Sequence, residues 1–243
     1  DTPYHDGARV VDLLRYIRVT EVRDIAPSTP GEQGIYEGLA AAGIRFDLFD
    51  QGAPDSARLM TALATAHPGS IVALEGPNEI DNFPVRAGQD TGRVAADRIQ
   101  QRLRGLARGP GPLRDAKLYM YTGFSPDRPD VLGNVHFYTR RGQDPTAQLL
   151  GAIWATNRGD GNRPFVITET GYFTGAPTDG WGGVSEAGQA RSLVEDLLDA
   201  FRLGADGVFI YELIDEASDT GPVDQERHFG LYDIHYRPKA AAH

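Results

Sequence analysis

Helical and strand-like segments alternate along the whole chain, and no other feature constrains the fold as strongly. Val10, Val11, Leu13, Leu14 and Ile17 recur at helical spacing and predict a helix over residues 6–17, with Asp6 able to cap it. Residues 20–25 then read as a strand. The pattern repeats: helix 33–42 closed by Gly43, strand 44–49, helix 54–67 ended by Pro68-Gly69, and a short buried strand 70–74. A long helix follows over 91–108, with Val94, Ile99, Leu103 and Leu106 expected to face inward. Strands are expected over 117–121 and 131–138, a helix over 146–157 and a strand over 165–168. The periodic helix 186–203 and a last strand over 207–213 complete the series. Such alternation argues for a parallel sheet with crossover helices.

No internal repeat, low-complexity tract or Pro/Ser linker divides the 243 residues, so residues 1–243 are expected to form one domain. That size suits a single α/β barrel. The strands number seven, and a seven-stranded open sheet would leave two raw edges, which proteins avoid. The expected fold is therefore an α/β (β/α)₈ TIM barrel that lacks its first strand and last helix in this sequence.

The formal net charge of −10, without any long basic run, argues against a nucleic-acid partner. No apolar run approaches membrane-spanning length, so no membrane partner is expected. The absence of cysteine excludes disulfides, thiol catalysis and Cys-based zinc sites. The acidic stretch Asp215-Glu216-Ala217-Ser218-Asp219 lacks the spacing of an EF-hand loop and reads as a solvated loop. No metal and no cofactor is expected. Oligomeric state is not legible.

The chemistry-bearing residues stand at strand ends. Gly76-Pro77-Asn78-Glu79 follows a buried apolar run, where a polar Asn-Glu pair is costly unless it is used. A second carboxylate, Glu169, ends another strand in Ile167-Thr168-Glu169-Thr170-Gly171-Tyr172. Catalytic groups of α/β barrels sit at the C-terminal ends of strands. Glycosidic cleavage needs two such carboxyls: one protonates the leaving oxygen, the other stabilises or traps the oxocarbenium-like centre.

Val22-Arg23-Asp24, Glu75 to Glu79, His136-Phe137-Tyr138, Thr168 to Tyr172 and Tyr211-Glu212 together resemble the clan A glycoside hydrolases, which are retaining (β/α)₈ enzymes. Within that clan the chain is most similar to family thirty-nine and its relatives, which include β-xylosidases and exopolysaccharide-cleaving endoglycosidases. The resemblance spans nearly the whole chain and rests on strand order more than on any single motif. It implies a retaining glycosidase acting on a poly- or oligosaccharide, with a carbohydrate as its partner and a secreted or periplasmic location. Glu79 would be the acid/base and Glu169 the nucleophile. Asn78 would bond the sugar 2-hydroxyl, Arg23 would keep Glu169 ionised, and His136 and Tyr138 would line the site. Clan members carry a Trp on the last strand as a sugar floor. This chain has Phe209-Ile210-Tyr211-Glu212-Leu213, so either Tyr211 stands in its place or Glu212 or Asp215 binds sugar hydroxyls instead.

Trp181 is either a stacking platform or a packed loop anchor, and Trp154 is expected in the core. Arg140 and Arg141 are expected to be a solvated loop pair, with a uronate or sulfate contact as the alternative. Tyr4 and His5 would face the site if the missing first strand precedes them. Two other functions fit the same residues: a carbohydrate-binding barrel without catalysis, and a transglycosylase.

Overall fold

A computed structural model describes residues 3–123, 131–157, 163–216 and 224–243. The chain divides into two compact units, Gly7–Asn134 on one side and Asp1–Asp6 with Val135–His243 on the other.

The unit Gly7–Asn134 holds the strands β1 (Glu21–Ile25), β2 (Arg45–Phe49) and β3 (Ile71–Glu75), a hairpin of β4 (Arg86–Ala87) and β5 (Asp90–Thr91), and β6 (Lys117–Tyr119). The parallel sheet runs β1-β2-β3-β6. Helices α2 (Pro30–Ala41), α3 (Ser56–Ala66) and α4 (Gly92–Arg108) are its crossovers, and α1 (Gly7–Tyr16) precedes β1. Phe46 and Leu48 of β2, Leu74 of β3, Met60 and Leu63 of α3 and Leu103 of α4 are sealed from solvent and form the core. Helix α2 starts three residues ahead of the expected position because Thr29 caps it. The Thr29 hydroxyl accepts from the Glu32 amide, and Pro30 occupies the first turn, where a missing N–H costs nothing.

The second unit contains the end of β7 (Gly133–His136), β8 (Phe165–Thr170) and β9 (Val208–Ile210), in the order β7-β8-β9 with β8 and β9 parallel. Helices α5 (Thr146–Thr156) and α6 (Glu186–Leu203) accompany them. Val135, Phe137, Leu149, Ile153, Phe165, Ile167 and Ala200 form one apolar cluster. Helix α6 has the predicted bounds. Ser185 caps its start by accepting from the Gly188 amide, and Gly204 at φ 78° ends it in the left-handed conformation glycine favours.

Three sequence expectations need correction. Trp154 is 66% exposed, not core, because Leu149 and Ile153 take the inward positions of α5 and put Trp154 off that stripe. Val94 is likewise exposed: the inward stripe of α4 is Ala95, Ile99 and Leu103, flanked by Ala96, Gln100 and Ala107. The β4–β5 hairpin was not foreseen, since two-residue strands carry too little alternation to register. Among the described residues, no helix is long and apolar enough to cross a membrane.

Candidate functional site

In the unit Gly7–Asn134 the chemistry gathers where β3 ends. Glu75, its last residue, is fully buried and accepts from Arg23 of β1 through two bonds, Nε to Oε2 at 2.8 Å and Nη2 to Oε1 at 2.7 Å. This two-pronged geometry is the strong form of an ion pair. Nη2 of Arg23 also donates to the Asn78 amide oxygen at 2.7 Å, so the Asn78 NH₂ is left as its donor face. The guanidinium lies over the Phe49 ring at 4.5 Å.

Gly76 follows, and only glycine fits there: a Cβ would stand 2.7 Å from that of Tyr121 and 2.2 Å from the Gln100 amide oxygen. Gln51 then clamps the Asn78 backbone, accepting from its amide at 2.8 Å and donating to its carbonyl at 3.2 Å. Glu79 has a φ of 41°, uncommon for a residue with a side chain. Its amide donates to the Thr122 hydroxyl at 2.7 Å, which holds it there. The Glu79 carboxylate accepts from the Asn82 side chain at 2.9 Å, and its half-buried position leaves it partly open to solvent.

In the second unit, Glu169 is the penultimate residue of β8. The Tyr138 hydroxyl donates to its Oε2 at 2.8 Å, and His136 Nδ1 stands 3.5 Å from the same oxygen. The other ring nitrogen of His136 meets the Thr168 hydroxyl at 3.0 Å. His136 and Tyr138 thus both reach Glu169, as the two-residue alternation implies, although β7 itself ends at His136. Gly171 is required by a close approach, since a Cβ there would stand 2.1 Å from the Tyr211 carbonyl.

Tyr138, which bonds this carboxylate, belongs to a cluster of five rings centred on Phe229. Phe229 is buried and lies 5.5 Å from Tyr138, 5.7 Å from Phe173, 6.2 Å from Trp181 and 5.3 Å from Tyr211, centroid to centroid. Tyr138, Trp181 and Tyr211 are only half-buried and form its accessible rim. Trp181 is therefore a packed anchor and an available ring face at once. Arg140 and Arg141 are exposed, as expected, and Arg141 lies across Gly182 beside Trp181.

Helix α6 braces the strand end from behind. Asp196 is buried and accepts from Thr170 at 2.8 Å and Tyr172 at 2.9 Å, flanking Glu169 on the chain. Burial raises the Asp196 carboxyl to about 6, although these two donors pull it down. Gln189 donates to the carbonyls of Tyr172 and Phe229.

Glu212 is buried. It accepts from the Tyr4 hydroxyl at 3.1 Å, and Tyr4 also donates to the Ile214 carbonyl. Its carboxyl is raised to about 8, first by burial and then by the Glu216 charge. Asp215 pairs with the buried Lys239 at 2.7 Å and accepts from the Gly230 amide. Asp215 is thus an internal ion-pair partner, and the expectation of a solvated loop fails at this residue. Asp219 lies outside the described residues.

The Glu212 shift has a measurable consequence. The folded state keeps this proton to higher pH than the unfolded chain does. Stability is therefore full below the ordinary Glu range and falls as pH rises from about 4.5 toward 8. The loss by pH 7 should be roughly 3 kcal/mol. Glu212→Gln should flatten that decline in urea melts taken from pH 4.5 to 8; an unchanged slope would mean another group is responsible.

Asp47, Gln51, Thr122, Phe173, Asp196 and Phe229 were not singled out from sequence. For Asp47 a signal existed. In Arg45-Phe46-Asp47-Leu48-Phe49, alternation puts Asp47 on the face opposite Phe46 and Leu48, in the middle of a strand.

No protein-family model matches this chain, and no curated protein matches it. Solved structures do match. The chain is similar to a β-glucuronidase from Bifidobacterium dentium complexed with coumarin-3-O-glucuronide, with 17% identity and a TM-score of 0.60 over 98% of this chain and 42% of that one. It is similar to a β-glucuronidase from Ruminococcus gnavus in complex with uronic deoxynojirimycin, with 15% identity, a TM-score of 0.63 and 97% and 44% coverage. A β-glucuronidase from an uncultured Clostridium sp. gives 14% identity, a TM-score of 0.64 and 97% and 45% coverage. The chain thus spans less than half the length of these relatives. The likeness is one of fold.

Proposed function

We propose that this chain is a single (β/α)₈-barrel catalytic domain of a retaining glycoside hydrolase that acts on a poly- or oligosaccharide. The observation that carries the reading is Glu169. It is a carboxylate at the C-terminal end of a parallel strand, held by the Tyr138 hydroxyl and bordered by the open rings of Tyr138, Trp181 and Tyr211. The fold shared with β-glucuronidases supports it, since these are glycosidases by name.

In this reading Glu169 attacks the anomeric carbon while Glu79 protonates the departing oxygen. Water, deprotonated by Glu79, then releases the sugar with retained configuration. Asn78 presents its NH₂ to the sugar 2-hydroxyl, oriented by Arg23. His136 and Tyr138 hold Glu169 in place. Trp181 and Tyr211 stack on the sugar. Glu212 and Tyr4 support the floor behind Tyr211.

The test is a panel of aryl glycosides and natural polysaccharides, acidic exopolysaccharides included, with products read by mass spectrometry and anomeric configuration by NMR. Hydrolysis with retention is expected. In Glu79→Ala, poor leaving groups should lose roughly 10²–10⁴-fold in rate, the share general acid catalysis supplies, whereas activated aryl leaving groups should keep their first step. Equal loss on both would count against the acid role. Tyr211 in place of the clan's Trp favours one rival, a barrel that binds carbohydrate without cleaving it. Saturable binding with no turnover on any substrate would select that rival. Sugar transfer that outpaces hydrolysis when an acceptor is added would mark a transglycosylase.

A further inference from the structure

Asp47 presents a problem of hydrogen-bond inventory. It lies on β2 directly opposite Arg23 of β1 and, on its other side, opposite Ala73 of β3, two residues before Glu75. Arg23, Asp47 and Glu75 therefore share one face of the sheet. Asp47 and Glu75 are both completely buried, and the Arg23 side chain is 8% exposed. Arg23 spends two bonds on Glu75 and one on Asn78. Among the described residues, neither Asp47 oxygen receives a bond from any N–H or O–H group. By register the ionisable side chains beside Asp47 on this face are Arg23 and, two residues along β3 from its partner Ala73, Glu75.

Two carboxylates cannot face each other in a sealed, low-dielectric space with one cation between them. A proton on one removes the repulsion and turns it into a donor. Glu75 holds the two-pronged bond to Arg23, which favours its charged form. The proton therefore belongs on Asp47. We propose that Asp47 is a positioning residue that acts as a neutral acid: its O–H donates to Glu75, completes that carboxylate's shell, and so fixes Arg23 and the Asn78 amide that Arg23 orients.

The balance of charges around Asp47 agrees with this. Burial and then Glu75 push the Asp47 carboxyl well above the usual range, Glu21 adds to this, and Arg23 opposes it only in part. The groups bearing on Asp47 are thus Glu21 and Arg23 from β1 and Glu75 from β3. The cluster Arg23⁺, Glu75⁻ and neutral Asp47 has no net charge, which suits a site closed to water.

The inference rests on the glycosidase reading only for the use made of Asn78. The experiment separates the two. Infrared difference spectra of wild type minus Asp47→Asn at pH 7 should contain the C=O stretch of a protonated carboxylic acid, shifted in D₂O. Asn keeps a donor at this position and Leu does not. In ¹⁵N-labelled protein the Asn78 side-chain amide and the Arg23 Nε–H resonances should stay near their wild-type positions in Asp47→Asn and move in Asp47→Leu. On any substrate turned over, Asp47→Leu should lose about 10-fold or more in kcat/KM, the scale of a hydrogen bond to a charged group, and Asp47→Asn should restore most of it. An ionised Asp47 in the infrared spectrum overturns the proposal. So does an Asp47→Asn variant that disturbs the Asn78 and Arg23 resonances as much as Asp47→Leu does. Should Asp47→Leu not fold, the spectrum and the Asn variant still decide. If wild type cleaves no glycoside, the glycosidase reading fails while the spectra still judge Asp47.

Discussion

Replacing Glu169 by alanine should reduce turnover about 10⁴-fold or more, the scale on which covalent catalysis collapses when its nucleophile is removed. The physical reason is that the two groups at its Oε2 cannot substitute for it. Tyr138 and His136 touch Glu169 Oε2, but a hydroxyl donor and a ring nitrogen in those places lack an oxygen anion aimed at an anomeric carbon. The alanine variant leaves a space of carboxylate size beside them. Azide fits such a space and attacks from the same side, so added azide should restore part of the activity and yield a glycosyl azide of inverted configuration. Fold loss is a competing explanation, and it is checked by thermal melts. Tyr138 loses one partner, but its ring stays packed against Phe229 and Trp181, so the melting temperature should change little. Ordinary turnover in Glu169→Ala, or rescue with retained configuration, would contradict the nucleophile assignment.

Legibility in the sequence followed a physical rule. Side chains whose position is set by local periodicity were readable, and those set by partners far along the chain were not. Helix α6 shows the first case: apolar period, Ser185 cap and Gly204 stop agree, and its bounds match. Glu79 and Glu169 stood out because a charged residue at or just beyond the end of an apolar strand is anomalous by itself. Trp154 shows the limit. Its size suggests burial, yet the turn of α5 puts Leu149 and Ile153 inward, and period outranks bulk. Gly171 has an ordinary appearance in sequence; only the Tyr211 carbonyl, forty residues on, explains it. The bonds Arg23 makes to Glu75 and Asn78 depend on strand register, which one sequence does not encode in readable form. Phe229 at the centre of the rings belongs to the same class, since its partners come from four separate chain segments.

Arg23→Met should destabilise the fold by about 3–5 kcal/mol, the cost of breaking a buried ion pair from one side. Methionine fills the stem volume of arginine, so the loss is electrostatic and not a cavity. Glu75 would be left in a space closed to water, with the two bonds from Arg23 gone and Asp47 on the same face of the sheet. Its remaining route to stability is to take up a proton. The Glu75 carboxyl in the variant is therefore raised, and by the linkage relation the variant should recover stability as pH falls. Arg23→Met should thus lie furthest below wild type at neutral pH and approach it in mild acid. The double change Arg23→Met with Glu75→Met removes both charges, and apolar replacement of a whole buried pair is often neutral. It should therefore be more stable than the single variant, a non-additivity that only direct coupling produces. Urea melts of Arg23→Met, Glu75→Met, the double variant and wild type at two pH values measure all of this. A single variant that costs under about 1 kcal/mol would place the pair in the class of solvated surface bridges. A double variant as unstable as the sum of its parts would show that Arg23 and Glu75 act separately, and the chain of contacts from Asp47 to Asn78 would then have no middle.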